Sequence, residues 1–480
     1  MKDTLQILEG YLDTVDGWVW GVPMLVLILG VGLALTFSLR FLQLSRLGTA
    51  VRLVFTPHRD QPGKQGDVTS FAALCTALAA TIGTGNIVGV ATAVGIGGPG
   101  ALFWMFLAAF FGMATKYAEC LLAVRYRELD SRGHYVGGPM YYIKNGIGPR
   151  FPKTSSFLAV MFAVFGIMAG CLGIGTYTQI NSVVEAGAAL GCNRMLTAVV
   201  ITILVGAITL GGLKFIAGAA KKIVPVMALV YIGCCLAVIF LNIGRVPDAL
   251  MMIVHAAFAP EPAIGGFAGA TVLMAIQKGI SRGIFSNEAG LGSAPLAAAS
   301  AKTNSPVEQG LINMTGTFLD TMIICMLTGI ALIVTGAWSS SETGVAMTSL
   351  AFSSSMGSPL GSYAVNISLM LFAFTTILGW NFYTERCVIY LFGSRRIMAF
   401  RLIYILIVAS YILIVAYIDM TNTSQKAAVN SVWIIADIAN GLMALPNLVA
   451  LFLLRKDVVE ETRKYLLQRR QAMKSSAEGQ

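Results

Sequence analysis

The feature that most limits this chain is the recurrence of apolar runs about 20 residues long, each long enough to cross the ~30 Å hydrocarbon core of a bilayer as an α-helix. Roughly eleven such spans can be counted, centred near Ile28, Thr84, Ala109, Val164, Leu204, Leu229, Ile280, Met322, Phe374, Ile407 and Met443. A helix satisfies its own backbone hydrogen bonds in lipid, so the fold class follows: an all-α polytopic membrane protein. Composition matters where it removes alternatives. Residues are 56% hydrophobic and only 12% charged, with a mean hydropathy of +0.76, whereas soluble domains carry about 25% charged residues. No polar stretch is long enough for an appended soluble domain. The formal charge of +10 is spread over short loops and lacks the aromatic clustering of a nucleic-acid surface. The eight cysteines show no CxxC or Cys/His spacing and read as small hydrophobes.

The first residues carry Asp3, Glu9, Asp13 and Asp16 in place of a basic leader, so the first span reads as retained. Basic residues then set the orientation. Arg40, Arg46, Arg52, Arg59 and Lys64 follow span one; Arg125, Arg127, Arg132, Lys144, Arg150 and Lys153 follow span three; Lys214, Lys221 and Lys222 follow span five; Arg386, Arg395, Arg396 and Arg401 follow span nine. The alternate loops are poor in Lys and Arg. This bias predicts a multi-pass protein of the cell inner membrane with its N-terminus outside and its basic tail in the cytoplasm near lipid headgroups.

Chemistry is expected where a spanning helix carries residues that a lipid-facing helix would not. Span two holds Thr81-Ile82-Gly83-Thr84-Gly85-Asn86 near its middle, and span seven holds Gly283 to Ser293 with Pro295 close behind. Both predict broken helices, whose freed N–H groups suit a carboxylate and whose freed carbonyls suit a bare cation. Close packing through small residues is the competing explanation for either segment alone. Two breaks in corresponding halves point to an inverted-repeat transporter. The expected organisation is residues 1–69 as N-terminal segment, first span and loop; 70–245 as the first five-helix repeat; 246–454 as the second; and 455–480 as the tail. No Ser/His/Asp or HExxH arrangement suggests an enzyme, and no GxxxxGK[ST] loop suggests an ATP-driven pump. A channel would call for a pore ring instead of an occludable pocket.

The runs GTGNIVGVATAVGIGGPGALFWMF, GMATKYAE, GGPMYYI, RGIFSNEAGLGSAP, ILGWNFYTERC and NGLMALPNLVAL closely resemble the alanine or glycine:cation symporter family, over Arg52 to Leu454. The resemblance implies a leucine-transporter-type fold, one leading helix plus a five-plus-five inverted repeat. It also implies import of alanine or glycine with sodium as coupling ion; no obligatory protein partner is evident in the sequence. The alternatives are proton coupling or a broader neutral substrate such as glutamine or serine. By motif, the substrate pocket falls on Thr84, Gly85, Asn86, Gln179, Phe285 and Trp380. By the spacing of the related fold, the cation falls on the carbonyls of Ala79, Ile82 and Phe372 and the hydroxyls of Thr375 and Thr376. Span four reads Gly175-Thr176-Tyr177-Thr178-Gln179 where the family has something like GNMVQ, and span nine carries Asn381 and Thr384 where smaller residues are usual. Glu119, Glu288, Asp320 and Glu385 are intramembrane acids that raise a proton-relay question. Lys116 and Arg386 are expected to pair with Glu119 and Glu385.

Overall fold

The computed structural model describes residues 2–56, 65–262, 264–265, 267–421 and 425–478. Arg59 and Lys64, assigned above to the first basic loop, lie outside the described residues. Among the described residues, nine helices are long and apolar enough to cross a membrane, ten when the bent pair Ser70–Thr81 and Gly85–Gly97 is taken as one span. Each of the expected span centres falls in a helix or in its break. Span seven accounts for the lower number. Its first part, Val272–Asn287, has 16 residues, about 24 Å of helix, and the chain unwinds before the short helix Ala294–Ala298.

Local chemistry starts these helices where the sequence changes from loop to apolar run. Thr69 accepts a hydrogen bond from the Ala72 amide, Asn193 from Leu196, Thr271 from Met274 and Ser305 from Glu308. Each supplies an oxygen to a first-turn N–H that has no carbonyl to reach. An N-terminal helix, Lys2–Val19, leads through Gly21 into span one, Val22–Ser38.

Span three, Gly100–Arg125, forms the centre: 83% of its apolar window is buried, against 28% for span six, Leu213–Leu241, and for span ten, Ser394–Thr421. Spans six and ten therefore turn most of their surface to lipid, while span three packs mainly on span seven and on span eight, Pro306–Thr335. Small residues set the approach. A Cβ on Gly279 would meet the Ala101 carbonyl at 2.2 Å, and one on Gly112 would meet Ala289 Cβ at 3.0 Å, the close helix contact that glycine permits in membranes.

A third interruption was not expected from the sequence. Span four divides into Pro152–Leu172 and Tyr177–Ala189 around Gly173 to Thr176. The glycines there are needed sterically: a Cβ on Gly173 would lie 2.8 Å from Ala436 Cα in span eleven, Ile434–Leu453, and one on Gly175 would lie 2.6 Å from Trp380 Cβ in span nine, Leu360–Phe392.

Candidate functional site

Span two breaks where Gly and Thr weaken it. The helix ends at Thr81, Ile82 is extended, and Gly85–Gly89 resumes as a wide π-turn. The Gly83 amide, which would otherwise bond the Ala79 carbonyl, donates to Asn86 Oδ1 at 2.9 Å. The Thr84 and Gly85 amides find no acceptor among the described residues. Thus one short stretch presents free carbonyls on one side and free N–H groups on the other.

Span seven breaks next to it. A Cβ on Gly85 would meet Ser286 Cα at 3.0 Å, so the two interrupted helices touch through glycine. Asp320 of span eight joins them. Its Oδ1 accepts from Asn86 Nδ2 at 2.7 Å, and its Oδ2 accepts from the Ser286 and Thr321 hydroxyls, both at 2.8 Å. Cys325 Sγ lies 3.3 Å from Asn86 Nδ2 and 3.2 Å from Ser286 Oγ. Asp320 is fully buried, and its carboxylate is stabilised by these charge-assisted bonds.

The freed amides of span seven are satisfied by the protein itself. Helix Val272–Asn287 ends at Glu288 with φ 55°, a left-handed turn. Gly290 and Gly292 then donate to Glu119 Oε1 of span three at 3.1 and 3.2 Å. Asn447 of span eleven donates to the same oxygen at 2.6 Å and to the Gly290 carbonyl at 2.8 Å, and is itself held by the Tyr142 hydroxyl. Glu119 therefore caps the break and does not pair with Lys116 as expected. The buried Lys116 Nζ has no hydrogen-bond partner among the described residues. One helical turn of separation did not decide the matter, because three donors converge on Glu119 from elsewhere. Glu385 likewise pairs with Arg401 of span ten, at 2.8 and 3.1 Å, while Arg386 lies over the Phe382 ring at 4.6 Å. Neighbours in sequence point to different helix faces.

The residues assigned to the cation fall around the same break. Thr376 Oγ1 lies 3.0 Å from the Phe372 carbonyl and 3.5 Å from the Ile82 carbonyl. A Cβ on Gly83 would stand 2.5 Å from that hydroxyl, so glycine is required there. Thr375 Oγ1 also bonds the Phe372 carbonyl, at 3.0 Å, and faces Met227 Sδ at 3.5 Å. Both threonines thus bond back to their own helix, as threonines in membrane helices commonly do, but only Thr376 also reaches span two.

Gln179, in the first turn of the second half of span four, donates from Nε2 to Thr84 Oγ1 at 3.2 Å, and its buried Oε1 has no hydrogen-bond partner among the described residues. Trp380 is 1% exposed, abuts Gly175, stacks edge-on with Tyr383 at 5.6 Å and turns its indole N–H toward the buried Glu288 carboxylate. Tyr404 fixes this corner by donating to the Gly175 and Ile377 carbonyls at 2.9 and 3.0 Å. Phe285 is placed differently from the other assigned residues. Though one residue from Ser286, it lines a cavity of about 250 Å³ with Asp16, Lys278, Arg282 and Asp437, and Arg282 sits 5.5 Å over its ring. Arg282 pairs with Asp437 of span eleven at 3.3 Å.

The opposite, basic-loop side is sealed by Arg127. Its guanidinium donates to the carbonyls of Ala299, Ala301 and Thr303 at 3.0, 2.9 and 2.7 Å and to Gln65 at 3.2 Å. It also stacks 4.4 Å over Tyr135. Asp67, in the same layer, accepts from the Tyr135 amide at 2.9 Å and pairs with His134 at 3.0 Å. The segment before span two, the loop after span three and the segment after span seven are thereby tied together. Sequence reasoning missed this seal, the role of Asn447 and the break in span four; Gly170, Gly173 and Gly175 were the available signal for the last.

A family model described as the sodium:alanine symporter family matches residues 5–478. The chain is 53% identical over 460 residues to an uncharacterized transporter of Haemophilus influenzae, covering 95% of this chain and 96% of that relative. It is 45% identical over 459 residues to the sodium/alanine symporter AgcS of Methanococcus maripaludis, covering 95% and 96%. Among solved structures, MhsT in complex with L-phenylalanine matches with a TM-score of 0.53 at 13% identity, over 83% of this chain and 98% of that one. This likeness shows a transporter fold of the leucine-transporter type.

Proposed function

We propose that this chain, which belongs to the sodium:alanine symporter family, carries a small neutral amino acid, alanine or glycine, across the cell inner membrane together with sodium. One observation carries the reading. The amides freed in span seven are occupied by the resident carboxylate of Glu119, whereas the Thr84 and Gly85 amides of span two are left without an acceptor. A substrate carboxylate supplies there what Glu119 supplies at the other break. Gln179 Oε1 is a buried acceptor with no hydrogen-bond partner among the described residues, suited to the ammonium end of a zwitterion. Trp380 is large enough to restrict side-chain volume, and Phe285 separates the pocket from the charged cavity. Ala79, Ile82 and Phe372 carbonyls with the Thr376 hydroxyl give sodium hard oxygen ligands; Thr375 serves as a ligand only if it turns from Met227.

Transport proceeds by alternating access, with the Arg282–Asp437 side outward and the Arg127 side cytoplasmic, as the basic loops favour. Purified protein in liposomes tests this directly. An inward sodium gradient should drive uptake of alanine or glycine, with all standard amino acids and both alanine enantiomers as competitors. Uptake that follows a proton gradient and ignores sodium would replace the coupling ion. The buried carboxylates of Glu119, Glu288 and Asp320 make that second arm worth running. Equal competition by glutamine or serine would broaden the substrate.

A further inference from the structure

We propose that the groove between the end of span one and the C-terminal helix, Arg455–Glu478, is a binding site for the phosphate headgroup of an anionic phospholipid. The groove encloses about 750 Å³ and is lined by Arg40, Arg46, Arg463, Arg469 and Arg470, with no aspartate or glutamate in its lining. Three acids of the C-terminal helix, Asp457, Glu460 and Glu461, are engaged elsewhere. Glu461 pairs with Arg125 at 2.7 Å, Glu460 with Lys464 at 2.8 Å, and Asp457 accepts from Tyr126 at 3.0 Å. Arg40, Arg46, Arg463 and Arg470 make no hydrogen bond or ion pair among the described residues. Five like charges gathered in one groove repel unless an anion lies between them, and the planar fork of arginine matches phosphate oxygens.

Two further observations choose a lipid over a free phosphate. Arg40 and Phe41 are both left-handed, at φ 54° and 55°, although neither is glycine. This sharp corner directs Arg40 toward the groove and leaves apolar residues outside it. Phe37, Phe41 and Leu44 are 63%, 38% and 62% exposed, and Leu467 of the C-terminal helix is 51% exposed. A cationic groove rimmed by exposed aromatic and aliphatic side chains fits a molecule with an anionic head and acyl chains. The location, on the side carrying the basic loops, is where anionic headgroups meet such pockets. The helix that forms one wall is fixed to span three, because Tyr117 and Thr462 hydroxyls lie 2.7 Å apart. A lipid in the groove therefore joins span one to the central helix of the bundle.

The test uses full-length protein purified in detergent and examined by native mass spectrometry with added phosphatidylglycerol or phosphatidylethanolamine. The wild type should retain phosphatidylglycerol preferentially. Each surface arginine contributes about a fivefold preference for anionic lipid, so Arg463→Gln with Arg470→Gln should weaken retention by roughly 30-fold. Both side chains are exposed, so the variant should keep its thermal midpoint, and Arg463→Lys with Arg470→Lys should restore much of the preference. Equal retention of the two lipids by wild type, or unchanged retention by the glutamine variant, overturns the proposal. So does complete displacement by millimolar glycerol 3-phosphate, which would make the site one for a soluble phosphate.

Discussion

Replacing Arg127 by alanine tests whether the basic-loop side is held shut by one side chain. The guanidinium makes hydrogen bonds to four carbonyls on two segments, and three of these bonds are half-buried. At about 1 kcal/mol net for each half-buried bond, and nothing assigned to the exposed one, removal weakens the closed arrangement by about 3 kcal/mol. That is a shift of roughly 150-fold in an open-to-closed equilibrium. The assay needs a reporter behind the seal, and Ser300, 1% exposed, sits there with its carbonyl accepting from the Asp67 and Val68 amides at 2.9 and 3.1 Å. In a background lacking the exposed Cys192, Ser300→Cys in inside-out vesicles should react slowly with an impermeant maleimide. Adding Arg127→Ala should raise that rate by about two orders of magnitude, or to saturation. Arg127→Lys keeps the charge but loses the fork, so it should fall between. An unchanged labelling rate in Arg127→Ala would refute the claim that these hydrogen bonds hold the seal.

Three further outcomes are expected at the breaks. Thr376→Ala should raise the sodium concentration needed for half-maximal uptake while leaving amino-acid selectivity in place; unchanged sodium dependence would remove Thr376 from the ion site. Trp380→Ala should admit larger amino acids in a competition panel, at a cost in stability of about 3–5 kcal/mol for a buried aromatic, and a variant still confined to the smallest substrates would make Trp380 a packing residue. Asp320→Asn keeps the shape but loses charge-assisted bonds from Asn86, Ser286 and Thr321 and turns an amide donor toward donors, so uptake should fall at least about tenfold, with a loss of stability of about 1–3 kcal/mol for the group left unpaired. Near-normal uptake would show that the bridge between the breaks does not need the carboxylate.

Much of this arrangement was legible in the residues, and the limits were physical. Gly83 and Gly85 marked span two as breakable because glycine weakens helices anywhere, and the structure adds why each is needed: Thr376 and Ser286 stand where a side chain would be. Glu119 and Glu385 were visible as costly intramembrane acids, but helical spacing ranks only neighbours on the same helix. Their partners, Asn447 and Arg401, lie 328 and 16 residues away. Arg127 looked like one more loop cation, since nothing in a linear count of basic residues separates an orientation signal from a lock on three carbonyls of a segment some 170 residues downstream.

The difference between the two breaks bears on how substrate and ion are coupled. Span seven is complete without a ligand, because Glu119 and Asn447 satisfy its amides and a carbonyl. Span two is not. On the proposed reading, its amides at Thr84 and Gly85 await a carboxylate, while the carbonyls of Ala79 and Ile82, a few residues away, await a cation. Each buried group left unpaired costs about 1–3 kcal/mol, so the emptied break is the less stable of the two and favours rehydration or opening. On that reading, sodium on the carbonyls would fix the extended Ile82 and the turn at Gly83, and with them the orientation of the next two amides. The substrate carboxylate fixes the same dihedrals from the other end. Each ligand therefore lowers the ordering required for the other, and by linkage the effect is equal in both directions. Coupling of sodium to amino acid then needs no direct contact between them. It follows from placing both binding functions on one stretch of backbone that each ligand helps to order for the other.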